Sequence, residues 1–148
     1  MALTIYAKNQ VARAMLHRGY NFLGAAVLLE QNGGYQYVVL HLICQSLEII
    51  LKALLLLKNY DKYLPLLPTR RLRHDLVELA TIVSSEYSLR VLRSPLREEL
   101  SNLNALYKTH FLRYADFRDI IPPKDIHYTR VLYRILACQR LVARQLRQ

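Results

Sequence analysis

The sequence predicts an all-α fold, an up-and-down bundle of four long helices with one short helix. Apolar residues recur at spacings of three and four along four long stretches, which is the period of a helix with one buried face. No stretch alternates as a half-buried strand does, and glycine or proline separates the stretches. With 148 residues, we expect a single domain, residues 1–148, that needs neither a disulfide nor a metal for stability.

The first helix is predicted over residues 3–31, because its apolar side chains follow the helical period and its charges lie elsewhere. Asn32-Gly33-Gly34 ends it, since glycine adopts the left-handed conformation that often follows a last turn. A link this short turns the chain back, so the second helix should run antiparallel to the first. It covers residues 35–58 and is apolar on nearly every side, which indicates a central position.

Four polar side chains interrupt the apolar surface of this central helix: His41, Gln45, Glu48 and Lys52. Spacings of four, three and four place them on one narrow strip. The strip lines a nucleotide groove or a dimer interface, or it is a local Glu48–Lys52 pair with the remaining groups bonded to neighbouring helices. Each central charge would cost about 2.5–3.5 kcal/mol in a bilayer, so we expect no membrane span.

The middle of the chain is predicted to hold a loop and the short helix. Residues 59–69 contain two prolines and no helical period, which indicates a loop. Asp75 followed by Glu78 is the pattern of a capping box. A short helix should therefore begin after Asp75 and continue to about residue 85 or 87.

The third long helix is predicted over residues 94–113. Ser94 is the expected cap, Pro95 the first helical residue, and Glu98 and Glu99 are expected in the first turn beside the positive end of the helix dipole. Residues 114–125 form a predicted loop with two adjacent prolines. The last helix should then run from about residue 125 to 146.

The charge balance favours an anionic partner. The chain has 21 basic and 11 acidic residues, a formal net charge of +10, which suits nucleic acid, a nucleotide or an acidic protein. The cysteines, Cys44 and Cys138, lie in apolar helical patterns and are expected as buried free thiols of a reducing compartment. The N-terminus lacks a signal-peptide pattern, so we expect a cytoplasmic protein.

Four segments follow one another in an order that is typical of a known family: Leu23-Gly-Ala-Ala-Val-Leu-Leu-Glu30, Cys44-Gln-Ser-Leu-Glu-Ile-Ile-Leu-Lys-Ala-Leu54, Arg73-His-Asp-Leu-Val-Glu-Leu79 and Leu106-Tyr-Lys-Thr-His-Phe-Leu-Arg-Tyr-Ala-Asp116. From about residue 7 to 145 the chain resembles the HEPN domain (higher eukaryotes and prokaryotes nucleotide-binding). The resemblance implies a helical bundle, often a homodimer. Many members are partners of small nucleotidyltransferases in toxin–antitoxin-like pairs. The central helix and the 94–113 helix would then contribute to the dimer seam or the groove beside it.

Other members of that family are metal-independent ribonucleases in which four to six residues separate an arginine from the histidine that follows it. No histidine here has an arginine at that distance; the nearest arrangement is Asn104 before His110. Asparagine cannot supply a fixed positive charge to a phosphate. The ending Arg113-Tyr114-Ala115-Asp116 instead resembles the branch associated with nucleotidyltransferase partners.

The resemblance therefore implies a nucleotide- or nucleic-acid-binding protein without catalytic activity, the partner of a nucleotidyltransferase. One alternative is a ribonuclease with a degenerate site, in which His110 is the acid or base and Asn104 or Arg113 orients the phosphate. Another is an interaction protein whose basic face docks an acidic partner. We expect no cofactor and no metal site, because no paired ligand spacing or phosphate-binding glycine loop occurs.

The candidate nucleotide or phosphate contacts are Glu48, Lys52, His74, Tyr107, His110 and Arg113. His74 follows the basic run at residues 70–73 and either binds phosphate or merely precedes the Asp75 cap. Tyr107, His110 and Tyr114 share one helical face, which contacts a base and a phosphate or is a partly buried aromatic face with a hydrogen-bonded histidine.

The C-terminal part of the chain is basic. Residues 118–148 carry seven basic and two acidic side chains, a net charge of +5. Arg140, Arg144 and Arg147 are spaced to share one helical face. This face is either a solvated helix surface or a docking surface for an acidic partner or RNA.

Overall fold

A computed structural model describes residues 3–90, 92–109, 112 and 126–148, and these residues form six helices and no strand. The helices are α1 (Ile5–Gln31), α2 (Gln36–Lys58), α3 (Tyr60–Tyr63), α4 (Leu76–Glu86), α5 (Ser94–Lys108) and α6 (Thr129–Gln145). The prediction of an all-helical protein is confirmed.

The second helix is the centre of the fold, as its apolar sequence predicted. α2 contacts each of the other five helices, and its apolar side chains form the middle of a single core. The buried residues of α2 include Leu40, Ile43, Leu47, Ile50, Leu51 and Leu54. Because α2 is surrounded, any charge on it must find a partner inside the protein.

α1 packs along α2 through a close backbone approach. A Cβ added to Gly19 would lie 2.3 Å from Cδ1 of Ile50, so the buried Ile50 side chain would have to shift to admit a larger residue. The buried Ser46 hydroxyl donates to the Gly19 carbonyl at 2.9 Å. The link between the helices turns at Gly33, whose φ of +70° is left-handed and confirms the predicted helix stop.

The prediction of a loop over residues 59–69, after α2, was partly wrong. Residues 60–63 form the single helical turn α3, because the Asn59 side chain accepts a hydrogen bond from the Lys62 N–H and caps the turn. A cap and one turn carry no apolar period, so the pattern at residues 59–69 did not indicate it. The helix that follows, α4, begins after Asp75 as predicted.

The start and end of α5 differ from their predictions. The helix begins at Ser94 with Arg93 as the cap, since the Arg97 N–H donates to the Arg93 carbonyl. Ser94 is therefore not the cap, and Pro95 is the second helical residue. The helix ends at Lys108 with Thr109 as its C-cap, earlier than the predicted residue 113.

The acidic residues assigned to the first turn of α5 were also placed wrongly. The first turn of α5 contains no acidic residue. Glu99 lies further along, is buried, and accepts a hydrogen bond from the Val131 N–H of α6 at 2.9 Å. It therefore satisfies a free backbone donor at the start of another helix. The last helix begins at Thr129, beyond the predicted start at about residue 125.

α2 is also the one helix of the described residues that is long and apolar enough to cross a membrane by length and composition. In the fold, 67% of the most apolar 18-residue stretch of α2 is buried. The core helix of a soluble protein has the same property, so the length and composition of α2 are explained by its central position.

Candidate functional site

A buried carboxylate, that of Glu48 on α2, is the centre of a polar cluster that we call the Glu48 network (Glu48, Lys52, His74 and Tyr107). The Lys52 ammonium lies 2.5 Å from Oε1, and Nδ1 of His74 lies 3.0 Å from Oε2. The Tyr107 hydroxyl donates to the same Oε2. The network joins α2, the turn before α4, and α5.

These three donors favour the ionised form of Glu48. Burial acts to raise the pKa of Glu48, but hydrogen bonds from Lys52, Tyr107 and His74 outweigh it and hold the pKa below its ordinary value of 4.5. An ionised carboxylate can only accept hydrogen bonds, so Nδ1 of His74 carries a proton and donates it. The buried carboxylate therefore fixes the orientation of the His74 ring, with Nδ1–H directed at Glu48.

The backbone at His74 is unusual. Its φ of +66° is left-handed, a region that costs a residue with a side chain about 1–2 kcal/mol. Histidine is among the residue types enriched there, and such strain is concentrated at functional sites. The ring of His74 meets the ring of Tyr107 edge-on, with centroids 5.6 Å apart. The backbone, the carboxylate and the tyrosine together hold the imidazole in one position.

A second polar cluster fixes the start of α4 beside the network. Asp75 caps α4 by accepting from the Glu78 N–H at 3.0 Å, and its other oxygen lies 2.6 Å from the Lys108 ammonium. Asn104 on α5 accepts from the Leu76 N–H at 2.8 Å and donates to Asp75. Burial acts to raise the pKa of Asp75, but these partners, Lys108 first, lower it overall.

The surface around His74 is basic. Arg70, Arg71 and Arg73 lie in the turn before α4, and all three are exposed. Arg71 pairs with Glu78 at 2.7 Å. Within the described part of the chain, Arg70 and Arg73 have no acidic partner. The exposed edge of this site can therefore attract an anion, while its interior is electrically compensated.

The structure brings together four of the six candidate contacts, Glu48, Lys52, His74 and Tyr107, but gives them different surroundings. Tyr107 and Glu48 are buried, so neither can contact a ligand in this conformation, and Tyr107 cannot stack on a base. His74 is partly exposed, at 15% of its side chain. His110 and Arg113 lie outside the described residues, as do Tyr114 and the rest of the 113–125 segment, and the predictions for them stay predictions.

The polar strip on α2 does not face one groove. Glu48 and Lys52 form the expected pair and face the His74 turn and α5. Gln45 instead lines a surface cavity between α1 and α2, together with Arg18 and Asn21. The His41 ring lies 5.8 Å from that of Tyr107. The members of the strip therefore serve at least two separate environments.

The structural roles of two residues in this region, Asn104 and Glu99, differ from the roles that the sequence predicted. Asn104 was a candidate to orient phosphate, yet its amide bonds to the α4 cap. Glu99 was assigned to a helix dipole and instead joins α5 to α6, with Arg130 at 3.3 Å. No local pattern marks either role, because each partner lies about 30 residues away in the chain.

In the part of the chain that is described, neither thiol is activated and no cluster of possible metal ligands occurs. Burial raises the pKa of Cys138 to about 11, and burial first, with Glu48 nearby, raises the pKa of Cys44 well above its ordinary value. Both cysteines are free and buried, as predicted. Among these residues no three His, Cys, Asp or Glu side chains lie together as a metal site.

Comparisons with protein-family models, with curated proteins and with solved structures find no match for this chain.

Proposed function

We propose that this chain binds a nucleotide through its phosphate at the turn of residues 70–75, with His74 as the central contact. The observation that carries the proposal is the position of His74, which combines a left-handed backbone with a ring held by a buried, ionised carboxylate. Arg70 and Arg73 add exposed positive charge beside it. Guanidinium groups donate to phosphate oxygens, and an imidazole protonated on both nitrogens can donate from Nε2 while Nδ1 stays on Glu48.

The biological role that we propose is the one implied by the HEPN resemblance: an up-and-down bundle, a homodimer in the cytoplasm, and the non-catalytic partner of a nucleotidyltransferase in a toxin–antitoxin-like pair. The support is the order of the four sequence segments. Two of them, residues 44–54 and 73–79, supply Glu48, Lys52 and His74 of the Glu48 network.

The alternatives have less support from the described residues. A ribonuclease that used Asn104 to orient phosphate would have to release its amide from Asp75 and Leu76. The adaptor without a ligand needs no special backbone at His74, so it leaves the left-handed φ unexplained.

The test is a thermal-shift screen of the purified chain with ATP, GTP, other nucleotides and short RNA at two salt concentrations. A ligand at 100 times its Kd should stabilise the folded state by about 2.7 kcal/mol. We expect this stabilisation to persist at the higher salt and to be lost in His74→Asn, because asparagine tolerates the left-handed backbone and can donate to Glu48 but lacks the imidazole.

The matched control is His17→Ala, which removes an exposed histidine on α1 and should keep the shift. Each variant is compared with its own ligand-free melting temperature. The proposal fails if no nucleotide shifts the transition. It also fails if His74→Asn responds as fully as the parent, or if the shift disappears at the higher salt, since the effect would then be one of net charge alone.

A further inference from the structure

The outward side of α6 and the turn after it carry a row of exposed side chains that we call the α6 stripe: Tyr133, Leu136, Ala137, Arg140, Arg144 and Arg147. The first five are one, three or four residues apart and so lie along one side of the helix, and Arg147 follows two residues after the helix ends. From Tyr133 to Arg144 the row is about 16 Å long, at about 1.5 Å per residue. The opposite side of α6, which includes Val131, Ile135 and Val142, is buried in the core.

The two chain segments that form this surface carry no acidic residue of their own. Residues 126–148 contain no aspartate or glutamate, and neither do residues 3–29, which include most of α1. Arg13 on α1 donates to the Leu146 carbonyl at 3.2 Å and so adds a further cation at the C-terminal end of the row. In the described ranges, Arg140, Arg144 and Arg147 form no ion pair.

Helix stability explains only part of this arrangement. Cations near the last turn interact favourably with the negative end of the helix dipole, which accounts for Arg144 and Arg147. It does not account for Arg140, which precedes the last turn. It also does not account for the exposure of Tyr133, at 69%, and of Leu136, at 40%, on the same side of the helix.

We propose that the α6 stripe is a binding surface for single-stranded nucleic acid, with its arginines on the phosphates and Tyr133 stacked on a base. Every cation on α6 is an arginine, whose planar fork matches phosphate geometry. Cations that follow the nucleic-acid backbone, combined with aromatic rings on which bases stack, are the usual elements of single-strand binding. A second copy of the chain is disfavoured on this surface, because like charges would meet.

This inference is independent of the proposed nucleotide site. The α6 stripe belongs to a different helix, uses none of the residues of the Glu48 network, and requires no pocket. Either site can therefore fail its test while the other passes.

The test is fluorescence anisotropy of the full chain with a labelled 20-nucleotide single-stranded RNA over a range of salt concentrations, with the matching DNA in parallel. In Arg140→Gln/Arg144→Gln we expect at least a tenfold loss of affinity, and a salt slope smaller by about 1.4, since two phosphate contacts are removed. Tyr133→Ala should weaken binding by about tenfold without changing the salt slope.

The matched control is Arg90→Gln/Arg97→Gln, which removes two exposed arginines from another surface and changes the net charge equally. This control should bind nearly as the parent does. Circular dichroism melts of all variants show whether the fold is intact, which we expect because every substituted side chain is exposed.

Three results would overturn the proposal. The first is equal loss in the stripe variant and the control, which would mean that diffuse charge causes the binding. The second is unchanged affinity in Arg140→Gln/Arg144→Gln. The third is tighter binding of polyglutamate than of RNA, dependent on the same arginines and independent of Tyr133, which would assign the surface to an acidic protein.

Discussion

The Glu48 network and the α6 stripe treat charge in opposite ways. In the network, one buried carboxylate receives hydrogen bonds or an ion pair from Lys52, His74 and Tyr107. On the stripe, three arginines are exposed and the surrounding segment has no acidic residue. Water stabilises an exposed charge, whereas a buried charge must be compensated by the protein itself. Compensated charge thus supports the fold, and uncompensated surface charge is available to a partner.

The distribution of acidic residues separates these regions. On the side of α3, α4 and α5, acidic side chains pair with cations at Asp61, Asp75, Glu78, Glu86 and Glu99. On α6 there is none. Most of the net charge of +10 is therefore carried by residues 3–29 and 126–148, which include most of α1 and all of α6.

The largest effect is expected when the carboxylate at the centre of the Glu48 network is removed. Glu48→Met should lower the free energy of unfolding by about 3 kcal/mol, because Lys52 would be left largely buried without its partner. Urea denaturation measures this. Adding Lys52→Met should recover part of the loss. If Glu48→Met alone is as stable as the parent, the network does not compensate a buried charge.

Acid should weaken the network and leave the stripe unaffected. Folding lowers the pKa of both Glu48 and Asp75 relative to the ordinary values of 4.5 and 3.8. Their contribution to stability is therefore complete above those values and is lost as pH falls through the lower pKa values of the folded state.

Urea denaturation between pH 6 and pH 3 tests this dependence. The parent should lose stability below about pH 4.5, while Glu48→Gln/Asp75→Asn should show a smaller dependence on pH in that interval. Arg140→Gln/Arg144→Gln should follow the parent, since α6 has no carboxylate. Equal pH dependence in the parent and in the Glu48→Gln/Asp75→Asn variant would contradict the pKa assignment.

The energetic cost of the left-handed backbone at His74 can be measured separately from the contribution of the imidazole ring. His74→Gly and His74→Ala both remove the imidazole, but only alanine retains the cost of a left-handed φ. We expect the glycine variant to be more stable than the alanine variant by about 1 kcal/mol in urea denaturation. If alanine is the more stable of the two, the backbone at this position is not strained in solution.

The inner side of α6 gives a smaller effect in the opposite direction. Gln139 is 1% exposed, and neither its amide oxygen nor its amide nitrogen has a hydrogen-bond partner among the residues described. An unsatisfied buried amide costs about 1–3 kcal/mol. Gln139→Leu should therefore raise the melting temperature and stabilise the fold by about 1 kcal/mol. A destabilised variant would indicate that buried water satisfies the amide.

The smallest effect is expected on the stripe itself. Arg140→Gln/Arg144→Gln should change the free energy of unfolding by less than about 0.5 kcal/mol, as exposed substitutions usually do. The same denaturation series as for the Glu48 variants provides the measurement. A loss comparable to that of Glu48→Met would mean that these arginines stabilise the fold, and the contrast between the two regions would not hold.

Much of the helical organisation could be predicted because it depends on neighbours in the chain. The period of apolar residues, the glycine at residue 33 and the Asp75 cap indicated α1, α2 and α4 closely. The single turn α3 and the first residue of α5 were missed, since a cap shifted by one residue leaves almost no pattern. The Glu48–Lys52 pair, one of the alternatives for the polar strip, is present, and it could be anticipated because residues four apart in a helix are neighbours.

The order of amino acids was enough to predict where most helices lie, which of them is central, and where the positive charge is greatest. The contacts of the polar residues became known only from the folded chain: Tyr107 reaches Glu48 across 59 residues of sequence, Asn104 reaches Leu76 across 28, and Glu99 reaches Val131 across 32. The reason is physical. Helix formation follows short-range periodicity, whereas the partner of a buried polar group depends on which helices pack together.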